Sequence, residues 1–156
     1  MIRGVYQKGF TLIEILVVIG LIAILAAIVL IAINPARQFA QARNSQRESN
    51  VSTILNAIGQ NSADTKGLPL SATTCTGITN VPGATAKNIG TGGALVNLTC
   101  LVGTYIPSSL PFDPTSGTPA DTNYTIAYDG VRYTICAPGY AETAIVPTPA
   151  AYCLTR

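Results

Sequence analysis

The most prominent feature of the chain is a long apolar run near its beginning. Ile15 to Ile33 are 19 residues without a charge or a strongly polar side chain. As an α-helix this run is about 28 Å long, and Phe10–Leu12 extend it to the hydrocarbon thickness of a bilayer, about 30 Å. The pattern predicts one membrane-spanning helix. A secretory signal peptide fits less well, because the run continues past Ala26-Ala27 and is too long for the apolar region of such a signal.

A second helix with a different pattern is predicted after this run. Proline removes a backbone donor and clashes with the preceding turn, so we expect the helix to be kinked or broken at Pro35. Beyond it, apolar residues recur at the spacing of one helical face: Val51, Ile54, Leu55 and Ile58. Gly59 is predicted to end this helix.

The clearest strand signal is NYTIAYDGVRYTICAP, residues 123–138. Apolar and polar residues alternate on both sides of Asp129-Gly130, a dipeptide that suits a two-residue type I′ turn. The turn predicts a hairpin with three opposed apolar pairs: Tyr128 with Val131, Ile126 with Tyr133, and Tyr124 with Ile135. Because an isolated hairpin is only marginally stable, we expect further strands at Ala144–Val146 and near Leu95–Val102.

These elements predict an α+β fold. A long N-terminal helix, apolar all round in its lower half and amphipathic in its upper half, would pack its upper half on a small antiparallel β-sheet. The residues between the second helix and the hairpin are rich in Thr, Gly, Ser, Asn and Pro, which is typical of loops.

Charge and composition narrow the function classes. The formal net charge is +2, and Arg3 and Lys8 precede the apolar run, so the rest of the chain is formally neutral. A neutral body whose largest basic group is Arg37, Arg43 and Arg47 disfavours nucleic acid as a specific partner, since phosphate binding needs a concentrated positive field. Histidine is absent, which excludes Ser-His catalytic triads and His-ligated metal sites.

Four cysteines follow the apolar run: Cys75, Cys100, Cys136 and Cys153. Their spacing is too wide for the C-x-x-C pairs of zinc or redox sites. In a chain that crosses a membrane, they predict two disulfides in an oxidising compartment, so the residues after Ile33 are expected outside the cytosol. Basic residues lie on both sides of the apolar run and do not decide its orientation. Three pairings are possible, and the sequential one, Cys75–Cys100 with Cys136–Cys153, is favoured.

The start of the apolar run carries a further signal. Glu14 is a carboxylate inside an apolar segment, where an unpaired charge is costly. The stretch KGFTLIE, residues 8–14, followed by the apolar run, resembles the N-terminus of type IV pilins and pseudopilins. In that family a prepilin peptidase cuts after the glycine and methylates the new N-terminus. The resemblance implies cleavage between Gly9 and Phe10, with Phe10 as the N-methylated first residue.

The resemblance also gives Glu14 a role in assembly, because it matches the family's glutamate at the fifth place of the mature chain. Cleavage after Gly9 creates a positive α-amine on Phe10. In a filament of staggered helices, Glu14 of one copy can pair with the Phe10 amine of another and select one register. The alternative is that Glu14 is a solvated residue at the headgroup boundary.

We divide the chain accordingly into a leader over residues 1–9, a transmembrane or filament-core helix over 10–34, an amphipathic helix over 35–59 and a β-sheet head with disulfide-bridged loops over 60–156. The expected function is that of a type IV pilus subunit precursor, not an enzyme. It would be a single-pass inner-membrane protein with its head outside, and afterwards part of a pilus on the cell surface. Its partners would be other copies of itself, the prepilin peptidase, the inner-membrane assembly machinery and, before assembly, the lipid bilayer.

Two alternatives stay open: a pseudopilin of a type II secretion system, and a single-span anchor with a ligand-binding head. The second requires neither Gly9 nor Glu14. No cofactor and no metal site are expected. Some members of the family bind calcium, but calcium needs six or more oxygens, and turns are the better interpretation of three aspartates: Asp113, Asp121 and Asp129. Three sequences match the glycosylation pattern weakly, at Asn50, Asn97 and Asn123.

Overall fold

The computed structural model describes residues 9–68, 70, 75 and 83–156. The expected leader therefore lies outside the described residues up to Lys8. The described chain is α+β, as the sequence predicts, with two α-helices and a four-stranded antiparallel sheet. It forms two compact units, Met1–Gln38 and Phe39–Arg156, which we describe separately.

The first unit contains α1, which spans Leu12–Ala32 and has no buried residue. By length and composition this helix is able to cross a membrane. Large apolar side chains are exposed around its whole circumference, including Leu12 at 84% and Ile31 at 87%. A helix that is apolar all round requires an apolar surrounding, either lipid or other helices.

A break separates α1 from α2, which spans Pro35–Asp64. Ile33 has extended backbone angles, φ −93° and ψ 122°. The Asn34 side chain accepts a hydrogen bond from the N–H of Arg37 at 3.2 Å, and Pro35 follows at the first helical position, where its missing N–H leaves no bond unmade. The chain is therefore interrupted at Ile33–Asn34, directly before the proline at which a kink or break is expected.

The prediction that Gly59 ends the second helix is wrong. The helix continues to Asp64, so its upper bound lies five residues beyond the predicted one. Ile58 and Asn61, on either side of the glycine, are 2% and 1% exposed. A glycine inside a helix costs about 1 kcal/mol relative to alanine, and the burial of its neighbours outweighs that cost.

The actual end of α2 is a Schellman motif. Lys66 adopts a left-handed conformation with φ +57°, and its N–H bonds to the carbonyl of Ala63 at 3.3 Å. The N–H of Gly67 bonds to the carbonyl of Ser62 at 2.7 Å. These bonds satisfy carbonyls that would otherwise lack a partner at the helix end.

The sheet has the strand order β1-β2-β3-β4. Its strands are β1 Lys87–Gly90, β2 Asp121–Tyr128, β3 Tyr133–Ala137 and β4 Tyr152–Thr155. The prediction of a strand at Ala144–Val146 is wrong: this segment forms turns, and Val146 is 78% exposed. Pro147 and Pro149 follow it, and proline cannot donate to a β-ladder. The Leu95–Val102 segment contributes isolated bridges and a 3₁₀ turn rather than a strand.

The hairpin is formed by β2 and β3, but its predicted register is wrong by two residues. The observed pairs are Thr125–Cys136, Ile126–Ile135, Ala127–Thr134 and Tyr128–Tyr133. The Asp129 carboxylate accepts the N–H groups of Val131 and Arg132 at 2.8 and 2.7 Å, which stabilises a longer loop than a two-residue turn. Because the shift is even, the apolar face is preserved, and only Val131 leaves the core, at 83% exposure.

The core of the second unit contains the predicted helix face, and all four of its apolar residues are at most 2% exposed. They share one cluster with sheet residues, among them Tyr124, Ile126 and Ile135, which are fully buried. This is the packing of an amphipathic helix on an antiparallel sheet.

Two disulfides hold the loops and the C-terminal strand. Cys75 is bonded to Cys100 and Cys136 to Cys153, across 25 and 17 positions of sequence. These are the sequential pairs that the sequence favours. The second disulfide joins directly opposite residues of β3 and β4, so the C-terminal segment is covalently fixed as the edge strand.

Candidate functional site

The predicted cleavage position lies in non-helical chain at the beginning of the described residues. Gly9 and Phe10 precede α1 and are both exposed, Phe10 at 79%. A Cβ atom placed on Gly9 would meet no described atom within 4 Å. The peptide bond between these two residues is therefore accessible, and its backbone lies outside the helix.

A capping box begins α1 directly after this bond. Thr11 is the N-cap residue, with extended angles of φ −81° and ψ 149°. Its Oγ1 accepts the N–H of Glu14 at 3.3 Å, and Oε2 of Glu14 in turn lies 3.5 Å from the backbone N of Thr11. The two residues thereby satisfy two of the N–H groups that a helix start leaves without partners.

The capping role of Glu14 is a function that the sequence analysis missed, although Thr-x-x-Glu before an apolar run is the recognised signature of a capping box. The carboxylate also lies in the first turn, where the helix dipole favours a negative charge. Within its own chain Glu14 thus bonds to Thr11, one position from Phe10. Its pairing with the Phe10 amine of another copy is an intermolecular contact and stays a prediction.

The second unit contains a buried ion-pair network that the sequence analysis also missed. Arg47 on α2 is 2% exposed. Its Nε donates to Oδ2 of Asp113 at 2.6 Å, and its Nη1 donates to Oε1 of Glu142 at 2.7 Å. Arg43, one turn earlier, donates to both carboxylate oxygens of Glu142, at 2.7 and 2.9 Å. Two loops are thereby bound to one face of the helix.

The network keeps both carboxylates ionised. Hydrogen bonds from Arg43, and then from Arg47, lower the pKa of Glu142 to about 2. Burial acts to raise the pKa of Asp113, but the hydrogen bonds from Arg47 and from the N–H groups of Thr115 and Ser116 outweigh it, so this pKa lies below its ordinary value. The ionised carboxylates of Asp113 and Glu142 therefore hold their loops against α2 by binding its arginines.

Helical spacing was the signal that could have revealed Arg47. Asn44, Arg47 and Val51 continue the buried face of α2 toward its N-terminus at i, i+3 and i+7. From the sequence, Arg43 and Arg47 belong to the largest basic group after the apolar run. In the structure each forms an ion pair with an acidic residue of the second unit.

The three aspartates considered for calcium each bind a different partner within the chain. Asp113 binds Arg47, Asp121 accepts the N–H of Asn123 at 3.0 Å, and Asp129 caps the hairpin loop. Within residues 9–68, 70, 75 and 83–156, no three His, Cys, Asp or Glu residues are grouped so that they could hold a metal ion.

Comparison with protein families gives a match at the beginning of the chain. Residues 5–30 match the family model of the prokaryotic N-terminal methylation motif. The match contains Gly9, Phe10, Thr11 and Glu14 and most of α1. Neither the curated proteins nor the solved structures include a match to the chain.

Proposed function

We propose that this chain is the precursor of a type IV pilus subunit. The proposal rests on residues 5–30, which match the class III signal peptide of type IV pilins and pseudopilins. The prepilin peptidase cuts between Gly9 and Phe10 and methylates the new α-amine of Phe10. The observation that supports the proposal most strongly is the matched motif. The motif includes most of α1, a helix that has no buried residue.

The exposed surface of α1 supports an exchange of lipid for other copies of the same helix. Before assembly the helix spans the inner membrane, and the disulfide-bonded unit lies on the oxidising side. During assembly, packing against like helices replaces the lipid contacts. Pairing Glu14 with the Phe10 amine of another copy then leaves neither charge alone in the filament core and fixes the axial register.

The second unit supplies what a surface subunit requires. Its loops and its C-terminal strand are held by two disulfides and by the Arg47 network. In the filament these units form the outer surface. The same processing would occur in a pseudopilin, so the location of the assembled subunit distinguishes the two.

The test is a comparison of three versions of the chain in its source cells: wild type, Gly9→Val and Gly20→Val. Gly9 directly precedes the proposed cut, so we expect a side chain there to hinder the peptidase, whereas Gly20 lies inside α1, away from the cut. An added Cβ meets no described atom within 4 Å at either position, so neither change should disturb the chain itself. We expect Gly9→Val to remain full length in the membrane, and wild type and Gly20→Val to be shortened.

Filaments sheared from the cell surface should contain the shortened wild-type chain and no Gly9→Val chain. Shortened chain that stays with the cell envelope and never appears in sheared filaments would favour the pseudopilin. Equal processing of Gly9→Val, or no processing of the wild type, would contradict the proposal.

A further inference from the structure

We propose that Thr11 is a positioning residue for the cleavage step: by capping α1 it keeps the Gly9–Phe10 bond in extended chain, where a peptidase can bind it. The inference rests on the proposed function, since it concerns the same cut. It assigns to Thr11 a role that is separate from the assembly role of Glu14.

The geometry at Thr11 separates two backbone conformations. Leu12 is the first helical residue, and Thr11 itself has ψ 149°, which turns the chain out of the helix. The Oγ1 atom holds this arrangement by accepting the N–H of Glu14 at 3.3 Å. Phe10 and Gly9 therefore lie outside the helix, with the scissile bond only one residue ahead of the cap.

The environment of α1 makes a stop signal necessary at this point. Every helix start leaves backbone N–H groups without helical partners, and in an apolar medium an unpaired N–H is costly. A helix without a cap therefore gains by extending toward its N-terminus, because the unpaired groups are then moved out of the apolar medium. Phe10 does not prevent this extension, and a glycine such as Gly9 weakens a helix without ending it. If the helix grew by three residues, Gly9 and Phe10 would both be helical and the scissile bond would lie inside its first turn.

A bond in a helical turn is a poor substrate, because the turn must unwind before the peptidase can bind the chain in extended form. Only the unwound fraction is competent, and the apparent affinity falls by that fraction. Loss of the cap should therefore raise KM and leave kcat unchanged. A residue that contacts the reacting atoms would instead change kcat.

The experiment measures cleavage of the full-length precursor in lipid vesicles by purified prepilin peptidase, at a series of substrate concentrations. Thr11→Val keeps the shape of the side chain and removes the cap, whereas Thr11→Ser and Thr11→Asn keep a capping oxygen with different shapes. We expect KM to rise for Thr11→Val by up to about five-fold, because about 1 kcal/mol of lost capping multiplies the ratio of helical to extended chain by about that factor. Thr11→Ser and Thr11→Asn should have the wild-type KM, and kcat should be the same for all four proteins.

A wild-type KM for Thr11→Val would overturn the inference. So would a lowered kcat at constant KM, or equal impairment of all three variants, which would mean that the peptidase recognises threonine itself. The head of each variant is checked by its two disulfides on non-reducing gels. If the wild type is not cut between Gly9 and Phe10, the proposed function fails as well, whereas equal cutting of wild type and Thr11→Val removes only this inference.

Discussion

Arg47 and Asp113 form an ion pair in which the side chains are only 2% and 1% exposed, with Nε of Arg47 lying 2.6 Å from Oδ2 of Asp113. The two residues are separated by 66 positions of sequence, so the contact fixes a distant loop to α2. Removing one partner would leave the other charge buried and unpaired.

Arg47→Met should therefore destabilise the second unit by about 3–5 kcal/mol. The measurement is urea unfolding of the oxidised full-length chain in detergent. Arg132→Met is the matched control, because Arg132 is 65% exposed and lies 4.0 Å from its acid, so this change should cost less than about 1 kcal/mol. Equal unfolding free energies for the two variants would mean that the buried pair stabilises the unit no more than an exposed pair does.

Acid should weaken the second unit through Glu142. Its pKa falls from 4.5 to about 2 in the folded state, so the unfolded chain takes up the proton first as the pH falls. The stabilisation is complete above pH 4.5 and is lost progressively down to about pH 2. We expect Glu142→Gln to flatten this part of the curve of unfolding free energy against pH. An unchanged slope would contradict the assignment.

The disulfide between β3 and β4 should determine whether the C-terminal segment stays in the sheet. Closing this loop contributes roughly 3 kcal/mol in the chain-entropy model. Replacing both Cys136 and Cys153 by alanine should lower stability by about that amount and increase amide exchange in Tyr152–Thr155 relative to β2. Non-reducing peptide mapping of the wild type should yield Cys75–Cys100 and Cys136–Cys153. A Cys75–Cys153 peptide would contradict the pairing.

Glu14→Ala should leave membrane insertion and the disulfide-bonded unit intact, because both depend on residues elsewhere. Filament assembly should fail or slow greatly, since an unpaired Phe10 amine in the filament core costs roughly 3–5 kcal/mol at every added subunit. Glu14→Gln should be intermediate, because glutamine completes the capping box with Thr11 but carries no charge. Blots of sheared filaments and of membranes measure the outcome, and a normal filament yield from Glu14→Ala would contradict the register role.

Local patterns predict most of the helical part of the fold. The apolar run defines α1 and Pro35 marks the break after it, because each acts through neighbouring residues. The buried face of α2 follows from the spacing of Val51 to Ile58. Its end does not, since a single glycine is a weaker signal than the packing on both sides of it.

Long-range contacts and side-chain caps account for the errors. Asp129-Gly130 is compatible with more than one loop length, and the hydrogen bonds from Val131 and Arg132 to the Asp129 carboxylate decide between them. Arg47 and Asp113 are too distant in sequence for any local pattern to join them. At the candidate site, the sequence motif identifies Gly9, Phe10 and Glu14. The capping role of Thr11 was recognised only from its backbone angles and its hydrogen bond to Glu14.

The mass of the subunit in sheared filaments tests the central claim most directly. The account predicts a chain that begins at Phe10, carries one added methyl group on its α-amine and contains two disulfides. Tandem fragmentation places the methyl group on that residue. Assembled subunits that begin at Met1, or that begin at Phe10 without the methyl group, would contradict the account.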